Sequence, residues 1–332
     1  MKAMLFRSVA EPLSYEEIPI PLPTSDQILI KVYACGICRT DLHIFDGDLT
    51  NPQLPLIPGH QIVGDIVSWG DNVTGFKKGQ RVGVAWLGKT CQECFFCKHD
   101  QENLCDLPLF TGYTTSGGYA EYAVCNSSYC FPLPEKFDDL HVAPLLCAGM
   151  IGFRSLRKVL SAETIGFYGF GAAAMLLMQT ALYLKKKIYA FTKKGDTACQ
   201  QLAKDLGAVW AGDSEMAPPL LLDAAIIFAP IGELIPLSLK AIRKGGTVAL
   251  GGIHMSPIPS FSYDLLWGER TLTSVANLTR QDGRDYFQII AGINIHPLIT
   301  VYPMAQANEA IADLRAGRVQ GSVVLQVASR TP

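Results

Sequence analysis

Four cysteines at positions 91, 94, 97 and 105, in the segment GKTCQECFFCKHDQENLC, form a CxxCxxCx7C run. Four thiolates brought that close make a closed tetrahedral site, which zinc fills with no position left open for chemistry. A redox or disulfide cluster is the alternative, but grouped cysteines in a reducing compartment favour metal, so Cys91, Cys94, Cys97 and Cys105 are expected to hold a structural zinc. A second set of metal-type residues is scattered: Cys38 in CGICRTDLH, His60 in PLIPGHQIVG and Cys147 in APLLCAGMIG. Three N and S ligands beside one vacant position is how catalytic zinc is held. On spacing alone, two single cysteines and a lone histidine are equally at home in a core.

The elements that must position these residues fall into two rhythms. Up to about residue 150, Gly and Pro break the chain into short alternating runs such as QILIKVYA, QIVGDIVSWG, QRVGVAW and YAEYAV, the pattern of a β-rich body with tight turns. Beyond it, TIGFYG, KIYAFT, DAAIIFA and GTVALGG are expected strands. They alternate with helices over AAAMLLMQTALYLKK, DTACQQLAKDLGA and the stretch through PLSLKAIRK. Strands alternating with helices make a doubly wound parallel sheet. Residues 279 to 332 return to mixed character and end in the apolar strand SVVLQVA.

A chain of 332 residues suits two domains, and 49% hydrophobic against 17% charged residues describes a globular protein with a large interior. A net charge of −2 gives no electrostatic reason to expect nucleic acid or an anionic membrane as partner. The longest apolar runs fall short of a membrane helix and MKAMLFRSVAEPLSYEE lacks a signal-peptide core, so a cytoplasmic location is expected. Of the ten cysteines, Cys125, Cys130 and Cys199 lie outside the motifs and are expected to be small buried hydrophobes.

After the strand TIGFY comes Gly169-Phe170-Gly171-Ala172-Ala173-Ala174, a GxGxxA turn opening a helix. Its first glycine permits the turn, its second lets the backbone approach a pyrophosphate, and the helix N-terminus supplies partial positive charge. An enzyme that prefers NAD places Asp or Glu at the end of the next strand. Here that strand runs into Thr192-Lys193-Lys194, with no acid until Asp196. A hydroxyl and two ammonium groups suit a 2′-phosphate, so NADP(H) is expected over NAD(H). The alternative is a solvated basic loop.

The motifs CGICRTDLH, LPLIPGHQ, the four-cysteine lobe, GGYAEY and LLCAG occur in a fixed order, and with RAGRVQGSVVLQ near the C-terminus the chain resembles the zinc-dependent medium-chain alcohol dehydrogenases over nearly its whole length. The resemblance implies an α/β fold: an inserted Rossmann domain, residues 151–278, within a discontinuous β-rich GroES-like catalytic domain, residues 1–150 and 279–332. It makes Cys38, His60 and Cys147 the catalytic zinc ligands and Asp41 a carboxylate on the ligating histidine, for two zinc ions per chain. It gives Thr40 and His43 a proton relay from the alcohol through the nicotinamide ribose to the surface. It puts Leu49, Trp86, Tyr113 and Ile151 at the substrate pocket, and the cysteine lobe near a subunit interface of a homodimer or homotetramer.

The chain departs from the family in three places. Gln61 stands where a glutamate is common and brings an amide oxygen without charge, which should slow exchange of the zinc-bound ligand. Ile151 replaces a threonine and Ser322 an arginine that reaches the cofactor. The chemistry explains the metal: zinc brings the pKa of bound water from 15.7 to about 7, and a shift of nine units is worth roughly 12 kcal/mol. The expected activity is interconversion of a primary alcohol, aliphatic or aromatic, and its aldehyde. A polyol or ketone reductase of the same family is the enzymatic alternative, and a non-catalytic zinc-stabilised nucleotide sensor the alternative of another class.

Overall fold

The computed structural model describes residues 1–9 and 11–330. The chain divides into two compact units, one of Met1–Cys147, Asn277–Ala291 and the stretch from His296 onward, the other of Ala148–Ala276 with Gly292–Ile295.

The first unit is β-rich. Its long strand Gln27–Ile37 buries Ile28, Ile30 and Val32 completely, so both its edges must be covered by other strands. Strand Gln61–Trp69 runs antiparallel along one edge. The other edge is shared, Tyr122–Asn126 pairing with its first half and Ser322–Gln326 with its last residues. Arg81–Val84 and Cys130–Pro132 extend the sheet beyond Gln61–Trp69, and Ile299–Pro303 extends it beyond Ser322–Gln326. The C-terminal tail thus supplies two strands to this sheet. It also supplies helix Arg280–Ala291, where Gly283 leaves room for the Phe131 ring: a Cβ there would lie 2.3 Å from it.

In the second unit six parallel strands lie in the order Trp210–Asp213, Lys187–Thr192, Thr164–Tyr168, Leu222–Ile227, Ile242–Leu250, Thr271–Ser274. The third strand in sequence is at one edge and the first is central, which is the Rossmann order. Successive residues face opposite layers. Ile165, Phe167, Ile188, Ala190 and Ile226 enter one apolar cluster, whereas Tyr168, Tyr189, Phe191, Ala225 and Ile227 enter the other. Both faces are buried, which is why these strands show near-continuous apolar runs. The fold is therefore α/β, with a Rossmann unit and a β-rich GroES-like unit.

Several boundaries differ from expectation. The helix expected through PLSLKAIRK spans Leu234–Ala241 and stops there, because Ile242 turns to extended geometry and pairs with Leu222. The strand expected over YAEYAV begins only at Tyr122, while Ala120 forms an isolated bridge to Ala3. The edge strands Trp210–Asp213 and Thr271–Ser274 were not expected. Cys125 and Cys130 are buried, but Cys199, on helix Thr197–Asp205, is only half-buried.

Candidate metal centres and nucleotide turn

Helix Arg39–Phe45 follows directly on strand Gln27–Ile37, with Cys38 at its N-cap. The Asp41 carboxylate accepts the Cys38 backbone N–H at 2.8 Å through Oδ2. Its Oδ1 lies 3.3 Å from His60 Nδ1, an ion-pair contact between two completely buried groups whose alignment falls short of a hydrogen bond. One carboxylate thereby braces two residues of the cluster. Cys147 closes the 3-10 turn Ala143–Leu146, which lies on strand Arg81–Val84: a Cβ on Gly83 would meet Leu146 at 2.6 Å. His60 immediately precedes strand Gln61–Trp69.

These elements bring the ligand atoms of Cys38, His60 and Cys147 within 4.8 Å of one another. Cys38 Sγ is 3.4 Å from His60 Nε2 and 3.8 Å from Cys147 Sγ. A tetrahedron built with Zn–S of about 2.3 Å and Zn–N of about 2.05 Å has edges of roughly 3.6 Å for S–N and 3.8 Å for S–S. The donor set therefore fits zinc in identity and in spacing.

The electrostatics of the cluster favour a cation. A hydrogen bond from Cys147, more than any other contact, holds the Cys38 thiol well below its ordinary range, and the same bond with burial pushes Cys147 well above. Burial alone would lower the His60 imidazole, but the charges of Asp41 and Cys38 outweigh it and raise His60 to about 10. A site that gathers a proton this strongly gives it up when metal binds. Asp41→Asn keeps the shape and removes the charge. It should weaken zinc binding at this centre 10- to 100-fold, measured by competition with a chromophoric chelator, with little change in Tm.

Thr40 is buried on the short helix Arg39–Phe45, two residues after Cys38. His43, on the same helix, places Nδ1 2.8 Å from Asp48 Oδ2, a partner unrecognised in the sequence. Gln61 is buried, its Oε1 over Gly36, where a Cβ would come within 2.4 Å, and its Nε2 has no hydrogen-bond partner. Trp86 packs edge-on to His60 at 5.2 Å and stacks on Phe110 at 5.1 Å and Tyr113 at 5.7 Å. The Tyr113 hydroxyl donates to the Thr50 carbonyl. Leu49 packs against the same core, while Ile151 belongs to the other unit. Phe110 went unnoticed in the sequence because only the pairing of Leu87–Lys89 with Leu109–Phe110 brings it to Trp86.

That pairing also closes the second centre. Cys91 Sγ is 3.9 Å from Cys97 Sγ and 3.5 Å from Cys105 Sγ, again near a tetrahedral edge. Backbone N–H groups point at the sulfurs: Cys94 donates to Cys91, and Cys91 and Leu107 donate to Cys105. Donors from Glu93 and Cys94 hold the Cys91 thiol down to about 6, whereas burial pushes Cys105 up to about 12. Within the loop, buried Glu102 accepts from the backbone N–H and Nε of Arg280 at 2.9 and 3.1 Å. The lobe is thereby tied to the tail helix.

In the second unit, Gly169 has φ +86°, and a Cβ there would lie 2.8 Å from Ala229. Gly171 is different: a Cβ there would meet nothing within 4 Å, so its smallness serves no neighbour in the protein. The following helix, Ala172–Tyr183, has no side-chain cap, which leaves its first N–H groups open. Open space before uncapped donors fits a pyrophosphate. Ala174 is fully buried in the apolar layer. At the tip of the next strand, the Thr192 hydroxyl turns inward, toward the Lys193 and Gly212 carbonyls, and accepts from the Gln200 amide. Asp213 Oδ1 accepts from Gly195 N–H and from Gln200, while Lys193 and Lys194 are exposed.

Residues 24–135 match the alcohol dehydrogenase GroES-like domain. A probable alcohol dehydrogenase, AdhA, of Mycobacterium tuberculosis is 40% identical over 324 residues, covering 95% of this chain and 93% of its own. The chain belongs to the zinc-dependent medium-chain alcohol dehydrogenase family. An alcohol dehydrogenase of Geobacillus stearothermophilus is 31% identical over 98% of this chain and 99% of its own. Among solved structures, a cinnamyl alcohol dehydrogenase of Sorghum bicolor shares the fold with a TM-score of 0.90 at 24% identity, over 99% of this chain and 98% of its own. Like its family, the chain is an oxidoreductase. Among the described residues no helix is long and apolar enough to cross a membrane.

Proposed function

We propose that the protein is a zinc-dependent alcohol dehydrogenase or aldehyde reductase that moves a hydride between a primary alcohol and NADP(H). The observation that carries this reading is the convergence of Cys38, His60 and Cys147 on one point, a set of three rather than four. Bound there, zinc supplies the Lewis acid that acidifies an alcohol or polarises an aldehyde, and the nicotinamide supplies or takes up the hydride. Thr40, buried two residues after Cys38 on the same helix, would hand a proton outward, and His43, steadied by Asp48, would release it to solvent. The face made by Trp86, Phe110 and Tyr113 holds an apolar substrate by stacking and excludes water from it. Gln61 lacks the charge with which a glutamate would compete for the metal, so we assign it slower ligand exchange.

The Rossmann unit binds the cofactor at Gly169, Gly171, Ala172 and Ala173. Thr192 shapes the strand tip from inside instead of touching a phosphate, and Asp213 is taken up in holding the loop that presents Lys193 and Lys194. Two charge-assisted contacts at about 1.5–3 kcal/mol each, discounted for solvent screening, leave roughly 3 kcal/mol, a hundredfold in kcat/KM for NADPH over NADH. Replacing Lys193 and Lys194 together by alanine should bring the ratio within about tenfold while leaving NADH turnover unchanged. Short aliphatic, long aliphatic, aromatic and sugar aldehydes assayed with both cofactors test cofactor and substrate class together; faster turnover of sugars or ketones would favour the polyol or ketone reductase. Phe95 and Leu107 of the metal lobe, 65% and 74% exposed, support a homodimer or homotetramer.

A further inference from the structure

We propose that Cys125 and Cys130 are a redox-active thiol pair that closes to a disulfide under a peroxide. Their sulfurs lie 2.9 Å apart, both buried. The metal-type pairs of the same unit stand at 3.5, 3.8 and 3.9 Å, near the tetrahedral edge that a shared zinc requires. At 2.9 Å the Cys125–Cys130 pair is too close to share such an ion and about 0.9 Å from the length of an S–S bond. Among the described residues no histidine or carboxylate is grouped with them in a metal cluster, and bonding to each other is the chemistry this spacing serves.

The sheet sets the spacing. Cys125 lies opposite Ile28 and Cys130 opposite Val84, so two different neighbouring strands fix the two cysteines across the short turn Ser127–Tyr129. The Tyr129 hydroxyl in that turn shares a 2.6 Å hydrogen bond with Thr90, the residue before Cys91. The Arg280 guanidinium lies over the Tyr129 ring at 5.4 Å. Closing the pair therefore stiffens the platform on which the four-cysteine lobe rests. Burial pushes the Cys125 thiol well above its ordinary range and makes it slow toward bulky reagents. A small oxidant is required, and the fixed partner then captures the product.

The reaction balances with peroxide as oxidant. One sulfur attacks a peroxide oxygen, breaking the O–O bond and releasing water, to give a sulfenic acid. The second sulfur attacks the first, and the S–S bond forms as the S–O bond breaks and a second water leaves. Two thiols lose two electrons and two protons, and hydrogen peroxide becomes two waters.

Zinc-loaded protein treated with hydrogen peroxide, at doses at which a chromophoric chelator detects no released zinc, is denatured in a thiol-alkylating agent and cut after glutamate. Cleavage after Glu121 and Glu135 releases a peptide containing only these two cysteines. The expected peptide is unalkylated and two hydrogens lighter than the reduced form, and dithiothreitol restores alkylation at both sites. Tm rises by a few degrees, and Cys130→Ser abolishes both effects. Oxidation of half-buried Cys199 in the same digest shows that the oxidant acted. Full alkylation of Cys125 and Cys130 alongside oxidised Cys199 would overturn the proposal, as would their separate conversion to sulfinic acids.

Discussion

Cys38→Ser is expected to lower turnover at least ten-thousandfold while the protein stays folded. The size follows from what the metal supplies. A shift of about nine pKa units for an alcohol is worth roughly 12 kcal/mol, and a ten-thousandfold fall asks for about 5 kcal/mol of it. The fold should tolerate the change because Asp41 still accepts the Cys38 backbone N–H, and a serine hydroxyl at this N-cap can accept the backbone N–H that the thiol meets in the capping box. Zinc should fall from two to one per chain by elemental analysis, with Tm within a few degrees of wild type. A variant that keeps both zinc ions, or one that keeps turnover, would remove Cys38 from the reacting centre.

Cys94→Ser should act on the other property. Structural zinc binding contributes an apparent 10–16 kcal/mol in small domains, as much as the entire stability of a typical protein. Apart from the Glu102–Arg280 tie the lobe offers little else: none of the residues of helix Phe95–Lys98 is buried, and the strands Leu87–Lys89 and Leu109–Phe110 pair only briefly. The variant should be insoluble or melt more than about 10 °C below wild type, and any soluble fraction should keep the zinc at Cys38, His60 and Cys147. Cys199→Ser, a cysteine outside both clusters, serves as the control and should leave Tm and zinc content unchanged.

How far these centres were legible depended on how local their geometry is. Four cysteines inside one short lobe advertise a shared metal, because the chain cannot keep them apart. Cys38, His60 and Cys147 carry no such signal. They meet because a strand end, a strand start and a 3-10 turn converge, and only the resemblance to a family brought them together beforehand. Asp48 and Phe110 escaped because their contacts run across a helix end and a hairpin closed far along the chain. The Rossmann strands were readable since burial on both faces forces apolar runs. The end of helix Leu234–Ala241 was not, because the residues that follow it suit a helix well enough, and parallel pairing of Ile242 with Leu222 decides the matter. Thr192 shows a related limit: a hydroxyl at a strand tip suggests a ligand contact, and nothing in the sequence signals that Gln200 and two carbonyls also meet it from within.

Hydride transfer itself is tested by following a label. NADPH deuterated at C4 of the nicotinamide, on each face in turn, is given with an aromatic aldehyde to protein carrying two zinc ions, and the alcohol product is weighed by mass spectrometry. The account predicts that one of the two labelled cofactors yields alcohol bearing a single deuterium on the carbinol carbon, and that Cys38→Ser yields none. Tight binding of the cofactor with no alcohol formed, from aldehydes or ketones alike, would contradict it and leave a nucleotide-binding protein without a reaction.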